Sequence, residues 1–260
     1  MIDLHTHLLP GLDDGPSDLD GSVALAKAMV AAGTDVVAAT PHVSSRYPTR
    51  RPEIAAAAAQ LRETLSSAGV ELDVREGAEV ELARTRELSD ERLRELRLGG
   101  RRWLLVEPPL SPAAGNPVAE IEGLVARGHH VILAHAERSA ALRRSPDGLR
   151  RLVEAGVLVS VNAASLTGGF GPPAQRFAEG LVRERLVHDI ASDTHDVEQR
   201  PPAMGGHLRA AAANLRPLRL QAGWLTGPAP AAILAGVPLP PRPNGRMNVT
   251  ARRVVRRNRR

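Results

Sequence analysis

The sequence predicts a single-domain α/β barrel, and three observations carry that prediction. Short apolar runs of strand length alternate strictly with amphipathic stretches, which argues for a parallel sheet with helices packed against it. The runs are evenly spaced through 260 residues, which favours one closed barrel over an open sheet or two domains. Six of the seven runs are followed immediately by His, Asp or Glu, at the strand ends where barrels of this kind assemble their sites.

The predicted strands are residues 2–4, 35–39, 70–75, 102–106, 130–134, 157–161 and 188–191. Most are rich in leucine or β-branched side chains, which suit a buried pleated sheet. Helical patterns between them include 19–32, 52–68, 89–96, 117–127 and 174–185. Pro52 and Pro117 suit a first helical turn, and Gly33, Gly69, Gly128 and Gly156 suit helix ends. Beyond Gly223 the chain turns proline-rich and reads as one short helix followed by an extended segment. The barrel is expected to occupy 1–243, leaving 244–260 as a basic, flexible tail.

Composition narrows the chemistry. Aromatic residues are 2% of the chain, so the core is expected to consist of Ala, Val, Leu and Ile. There is no cysteine, which excludes disulfides, zinc ribbons, iron–sulfur clusters and a cysteine nucleophile. The start of the sequence lacks the pattern of a signal peptide, and no apolar run approaches the roughly 18 residues of a membrane span. A cytoplasmic protein with no membrane insertion is expected. The net charge of +5 includes six arginines in 251–260; without those six the remainder is −1. A near-neutral body, with Tyr47 and Trp103 far apart, argues against nucleic acid as a partner.

The candidate ligands follow the strands in order. His5 and His7 follow the first, His42 the second, Glu79 the third, Glu107 the fourth and His135 the fifth, while Asp193 and His195 follow the seventh. His5-Thr6-His7 and Asp193-Thr194-His195 are both i, i+2 pairs, and residues two apart on an extended chain point to one face. In a closed barrel the first and last strands are neighbours, so the two pairs would meet. Imidazole and carboxylate without sulfur suit zinc, manganese or iron. The loop after the first strand adds Asp13 and Asp14, and Arg138 and Arg200 would lie on the same rim. Several divalent ions among these carboxylates would leave positive charge that calls for an anionic substrate. A phosphomonoester meets that demand, and a guanidinium fork matches its oxygens.

In order, the HxH pair, the Asp13-Asp14-Gly15 turn, TPH at Thr40 to His42, GAE at Gly77 to Glu79, Glu107, AHxER at Ala134 to Arg138 and SDxH at Ser192 to His195 resemble the PHP (polymerase and histidinol phosphatase) superfamily. More narrowly the set is similar to the bacterial PHP-type protein-tyrosine phosphatases of capsule and exopolysaccharide operons, the CpsB/YwqE group. The resemblance implies a distorted TIM-like (β/α)7 barrel with up to three divalent ions, manganese first and zinc or iron as alternatives. It implies that His5, His7 and Asp193 bind one ion, that Glu79 bridges to a second held by Glu107 and His135, and that Asp14, His42 and His195 hold the third. It places Arg138 and Arg200 on the substrate phosphate, as binding and catalytic groups. The implied reaction is hydrolysis of phosphotyrosine by a metal-bridging hydroxide, in the regulation of exopolysaccharide or capsule synthesis. The implied partner is a phosphotyrosine-bearing protein, the tyrosine-rich tail of a bacterial kinase. Rival readings are a small-molecule PHP phosphatase such as histidinol-phosphate phosphatase, a PHP nuclease, and a non-enzymatic binding module. The arginine-rich tail is not a feature of the family.

Overall fold

The computed structural model describes residues 1–113 and 115–243. Nine strands run through these residues: β1 (Ile2–Thr6), β2 (Val36–Ala39), β3 (His42–Val43), β4 (Asp73–Glu76), β5 (Glu79–Glu81), β6 (Trp103–Glu107), β7 (His130–Leu133), β8 (Leu158–Asn162) and β9 (Asp189–Ala191). They pair in the orders β1-β2-β4 and β3-β5-β6-β7-β8-β9, and every pairing is parallel.

Two predicted strands, 35–39 and 70–75, are each continued beyond a break by a short strand that the sequence reading lacked, for local reasons. Thr40 and Pro41 separate β2 from β3, and Gly77 and Ala78 separate β4 from β5. Proline has no N–H to give a ladder, and Gly77 lies against Leu98, where a Cβ would meet a leucine methyl at 2.7 Å. Hydrogen bonds nevertheless cross the breaks, from Gly77 N–H to the Ala39 carbonyl (3.0 Å) and from Glu79 N–H to that of Pro41 (3.1 Å). At the other side of the sheet, His7 N–H donates to the Thr194 carbonyl (2.9 Å) and Asp193 N–H to that of His5 (3.0 Å). Asp3 helps close this seam, its buried carboxylate accepting from the backbone N–H of Ser192 and of His5. The sheet is therefore strongly curled.

Helices cover it: α1 (Leu19–Ala31), α2 (Arg51–Ser67), α3 (Asp90–Glu95), α4 (Val118–Ala126), α5 (Ala140–Arg144), α6 (Pro146–Glu154), α7 (Gly171–Arg183), α8 (Met204–Asn214), α9 (Arg216–Leu225) and α10 (Pro228–Ala235). The expected signals act where they were read. Pro52 opens α2, and Gly33 and Gly156 follow α1 and α6 with φ of 88° and 94°, a conformation that costs glycine little. Helices α5, α6, α8 and α9 lie in stretches given no element above, and α9 continues past Gly223 before the short α10. None of the described helices is long and apolar enough to cross a membrane.

Successive strand residues divide between two apolar clusters. Leu104, Val106, Val131, Leu133, Val159 and Val161 pack with Leu25, Leu61, Ile121 and Leu149 of the helices. Their neighbours Trp103, Leu105, Ile132 and Leu158 pack with Leu4, Ala38 and Ile233. The second cluster lies on the concave side of the sheet. Trp103, Leu105 and Glu107 share one face of β6, so this apolar layer leads directly to the carboxylate that ends the strand.

Candidate metal centre

Because the strands are parallel, their C-terminal ends lie together, and every candidate ligand emerges there. His5 belongs to β1 and His7 follows it; His42 and Glu79 open the short β3 and β5; Glu107 ends β6; His135 follows β7; Asp193 and His195 follow β9. His135 and Asp193 have positive φ, 29° and 55°. Only two residues beyond their strands, these left-handed turns redirect the chain, a strained conformation of the kind that clusters at sites.

The side chains converge on one carboxylate. Oε2 of Glu79 lies 2.9 Å from His42 Nδ1, 3.2 Å from His5 Nε2 and 3.5 Å from His7 Nε2, while its Oε1 lies 2.9 Å from His135 Nε2. Asp193 Oδ1 stands 3.5 Å from His5 Nε2 and 3.4 Å from His7 Nε2. Asp14 Oδ1 is 3.3 Å from His195 Nε2 and 3.6 Å from His42 Nε2. Glu107 Oε1 completes the ring, 3.7 Å from His135 Nε2. Four groups place their donor atoms within 4.8 Å of one another: His7, Asp14, His42 and His195; His5, His7 and Asp193; His5, Glu79 and His135; His42, Glu79 and Glu107. All nine predicted ligands are brought together.

A cation fits this donor set on two observations. The Nε2 atoms of His5 and His7 face each other at 3.2 Å, which two lone pairs tolerate only with a proton or a metal between them. Glu79 Oε2 is surrounded by imidazole nitrogens yet makes no directed hydrogen bond among the described residues. Electrostatics agree. Burial and the neighbouring Glu79 push the Glu107 carboxyl up to about 8. Burial would raise Glu79 and Asp193 too, but the imidazoles around them, with Arg200 near Asp193, hold both well below the usual carboxylate range. Crowded carboxylates of this kind are what divalent cations relieve.

Both predicted arginines meet Asp193. Its Oδ2 accepts from Arg138 (2.9 Å) and forms an ion pair with Arg200 (2.5 Å), and Arg200 also lies 2.7 Å from His195 Nε2. Three further residues belong to the site and were not singled out for these roles. The Asp13 side chain is fully buried and accepts from His7 Nδ1 (2.6 Å), His42 N–H (2.9 Å) and Gly15 N–H (3.0 Å). It thereby fixes the imidazole orientation from behind, a common support for a metal-binding histidine. Asn162 donates its amide to Asp193 Oδ2 (3.1 Å). Glu137 ties the turn after β7 to β8, accepting from Asn162 N–H (3.0 Å) and Ser165 Oγ (2.5 Å). Asn162 ends β8, the one strand left empty by a search for His, Asp and Glu alone; widening it to amides would have found it. The DDG turn held the signal for Asp13, but spacing does not say which of two adjacent carboxylates faces the metal. His129 and His188 are structural, paired with Asp90 and with the backbone N–H of Val159.

The sequence profile of a family described as capsular polysaccharide synthesis, CpsB/CapC, matches residues 1–215. The tyrosine-protein phosphatase YwqE of Bacillus subtilis is 32% identical over 201 residues, 77% of this chain and 79% of YwqE. The tyrosine-protein phosphatase CpsB of Streptococcus pneumoniae is 27% identical over 210 residues, 78% of this chain and 86% of CpsB. Among solved structures, one from the work on YwqE of B. subtilis and CpsB of S. pneumoniae, described as unique metal-dependent tyrosine phosphatases, superimposes with a TM-score of 0.80 at 30% identity, covering 95% of this chain and all of that one. A β-aspartyl dipeptidase of Fervidobacterium islandicum, 13% identical with a TM-score of 0.54, shares the fold alone.

Proposed function

This chain belongs to the CpsB/CapC family, and from that premise we propose that it is a metal-dependent tyrosine-protein phosphatase acting in capsule or exopolysaccharide synthesis. The observation that carries the proposal is the convergence of nine imidazole and carboxylate side chains beside two arginines. We assign His5, His7 and Asp193 to one ion, Glu107 and His135 to a second with Glu79 bridging, and Asp14, His42 and His195 to a third. Manganese is the first choice, with zinc or iron as alternatives. Counting β2 with β3 and β4 with β5 as interrupted strands gives the seven-stranded distorted barrel of the PHP superfamily, and the hydrogen bonds that cross both breaks support that count. The barrel is assigned to 1–243; the basic tail at 244–260 lies outside the described residues. The proposed partner is the phosphotyrosine-bearing tail of a bacterial tyrosine kinase, met in the cytoplasm.

When bound, divalent ions supply a water acidified to near-neutral pKa and positive charge next to the phosphoryl group. The protein's own groups do the rest. Arg138 donates to Asp193 Oδ2 and Arg200 pairs with the same oxygen, so the two guanidinium groups stand where they can bind and orient phosphoryl oxygens as charge shifts among them. Asn162 holds Asp193 from a third direction. Asp13 keeps Nδ1 of His7 occupied, leaving Nε2 toward the centre. Tyrosinate, with a parent pKa of about 10, leaves more readily than an alkoxide when protonation is weak.

Protein purified with manganese supplied should carry bound metal by elemental analysis, and chelation should abolish hydrolysis of an aryl phosphate. At equal enzyme and metal, kcat/KM for phosphotyrosyl peptide should exceed that for histidinol phosphate and for single-stranded DNA. Metal-free protein would sink the metal assignment. A preference of tenfold or more for histidinol phosphate, about 1.4 kcal/mol of transition-state binding, would move the chain to the small-molecule phosphatases.

A further inference from the structure

Beside the arginines lies a cavity of about 550 Å³ whose lining includes Asn162, Phe170, Asp193, Arg200, Pro201 and Met204. One side is therefore the phosphate-facing group of the site, and the rest sets Phe170, Pro201, Ala203 and Met204 among the polar Ser192, Glu198, Gln199 and His207. The aromatic ring there is an exception in this chain, which has two phenylalanines in 260 residues. Phe177, the other, packs against the main apolar core. Phe170 is partly buried at the cavity wall.

Local structure holds Phe170 in place. The turn after β8 is capped by the Asn162 side chain, which accepts from Ala164 N–H (2.8 Å). Glycines flank the ring, with φ of 88° at Gly168 and 83° at Gly171, so the chain doubles back and presents Phe170 just before α7. The Arg138 guanidinium lies over the ring at 4.2 Å from its centroid, while its edge donates to Asp193 Oδ2. A cation over an aromatic face is held electrostatically. One phenylalanine thus both steadies a phosphate-facing arginine and bounds the adjoining apolar space. Glu198, also on the lining, disfavours a second anionic group there.

We propose that this cavity is the leaving-group subsite, taking the phenyl ring of an aryl phosphomonoester against Phe170, with Pro201 and Met204 completing the apolar lining. The inference rests on the phosphatase reading and adds to it the residues that select aryl over alkyl esters. An aromatic contact of this sort is worth roughly a factor of ten in affinity once apolar burial is included.

The test is calorimetric binding of two non-hydrolysable probes, phenylphosphonate and methylphosphonate, to manganese-loaded full-length protein. Wild type should bind phenylphosphonate about tenfold more tightly. Phe170→Ala and Met204→Ala should each bring that ratio to within about twofold, mainly through loss of phenylphosphonate affinity; Phe170→Leu should fall between. An unchanged ratio in both alanine variants would overturn the subsite. Equal loss for both phosphonates in Phe170→Ala would also overturn it, since the ring would then act only through Arg138. A wild-type ratio near one would defeat the subsite and leave the phosphatase reading standing. Wild type binding neither probe, with no aryl phosphatase activity, would defeat both.

Discussion

Asp13→Asn keeps the size and shape of the buried carboxylate behind His7 while removing its charge and half of its accepting capacity. In the native protein Oδ2 accepts from His7 Nδ1 and His42 N–H, and Oδ1 from Gly15 N–H. An amide has one acceptor end, so in either orientation its NH2 faces a backbone N–H, of Gly15 or of His42. Orphaning a buried N–H costs about 1–3 kcal/mol, and replacing a charged acceptor by a neutral one about 1 kcal/mol more. A loss near 3 kcal/mol should lower the melting temperature of metal-free protein by roughly 6–12 °C for a chain of this size. Metal binding should suffer separately, because the support that orients His7 is gone. Losing such a partner lowers affinity about 10- to 100-fold. Calorimetric titration of chelator-treated protein with manganese measures the second effect, and thermal unfolding in chelator the first. Wild-type values in both would refute the reasoning. A lower melting temperature with unchanged affinity would make Asp13 a latch for the Asp13-Asp14-Gly15 turn and nothing more.

Arg138→Ala and Arg200→Ala should each retain bound metal by elemental analysis yet lose about 10²- to 10³-fold in kcat on an aryl phosphate, the usual cost of one preorganised donor; near-wild-type kinetics in both would return these arginines to a structural role on Asp193. Asp189 predicts a pH effect on stability away from the metal centre. Burial pushes its carboxyl from 3.8 up to about 8, with Asp3 adding to the rise against the Ser160 hydroxyl that bonds it. Between those values the folded state keeps a proton that the unfolded chain has released. The group's stabilising effect is therefore greatest at low pH, and stability falls by about 1.4 kcal/mol per pH unit as pH rises toward 8. Asp189→Asn should melt above wild type by a margin that widens from pH 5 to pH 8, and parallel calorimetric profiles would rule this out.

Much of the site was legible because its signal is local. Residues that follow a strand by one to four positions emerge at one end of a parallel sheet whatever the helices do, so His5, His7, His42, Glu79, Glu107, His135, Asp193 and His195 could be collected from the alternation alone. The CpsB/YwqE resemblance then chose Asp14 over Asp13. Local reading did not reach the breaks in the second and third strands. Those depend on Pro41 losing a ladder bond and on Gly77 meeting Leu98, a residue 21 positions away in sequence. Helices α8 and α9 were also passed over, although α9 buries Leu218, Gln221, Trp224 and Leu225 along one face and α8 buries Met204, Leu208 and Ala211.

The amino-acid sequence by itself determined the parallel α/β architecture, the end of the sheet that carries chemistry, and the sulfur-free character of the ligands. These follow from periodicities of two and 3.6 residues and from composition, which act within a few residues of each other. Tertiary structure alone decided which donor atoms lie side by side. His7 stands in two of the four donor groups, and Glu79 gathers histidines from three strands. It also decided that Asp13 faces His7 while Asp14 faces His195, and that Phe170 lies over Arg138 beside the cavity. The reason is geometric. Coordination and stacking require atoms to meet within 3 to 5 Å, and here those atoms come from residues tens to nearly two hundred positions apart in the chain. Only the closure of the curled sheet brings them there.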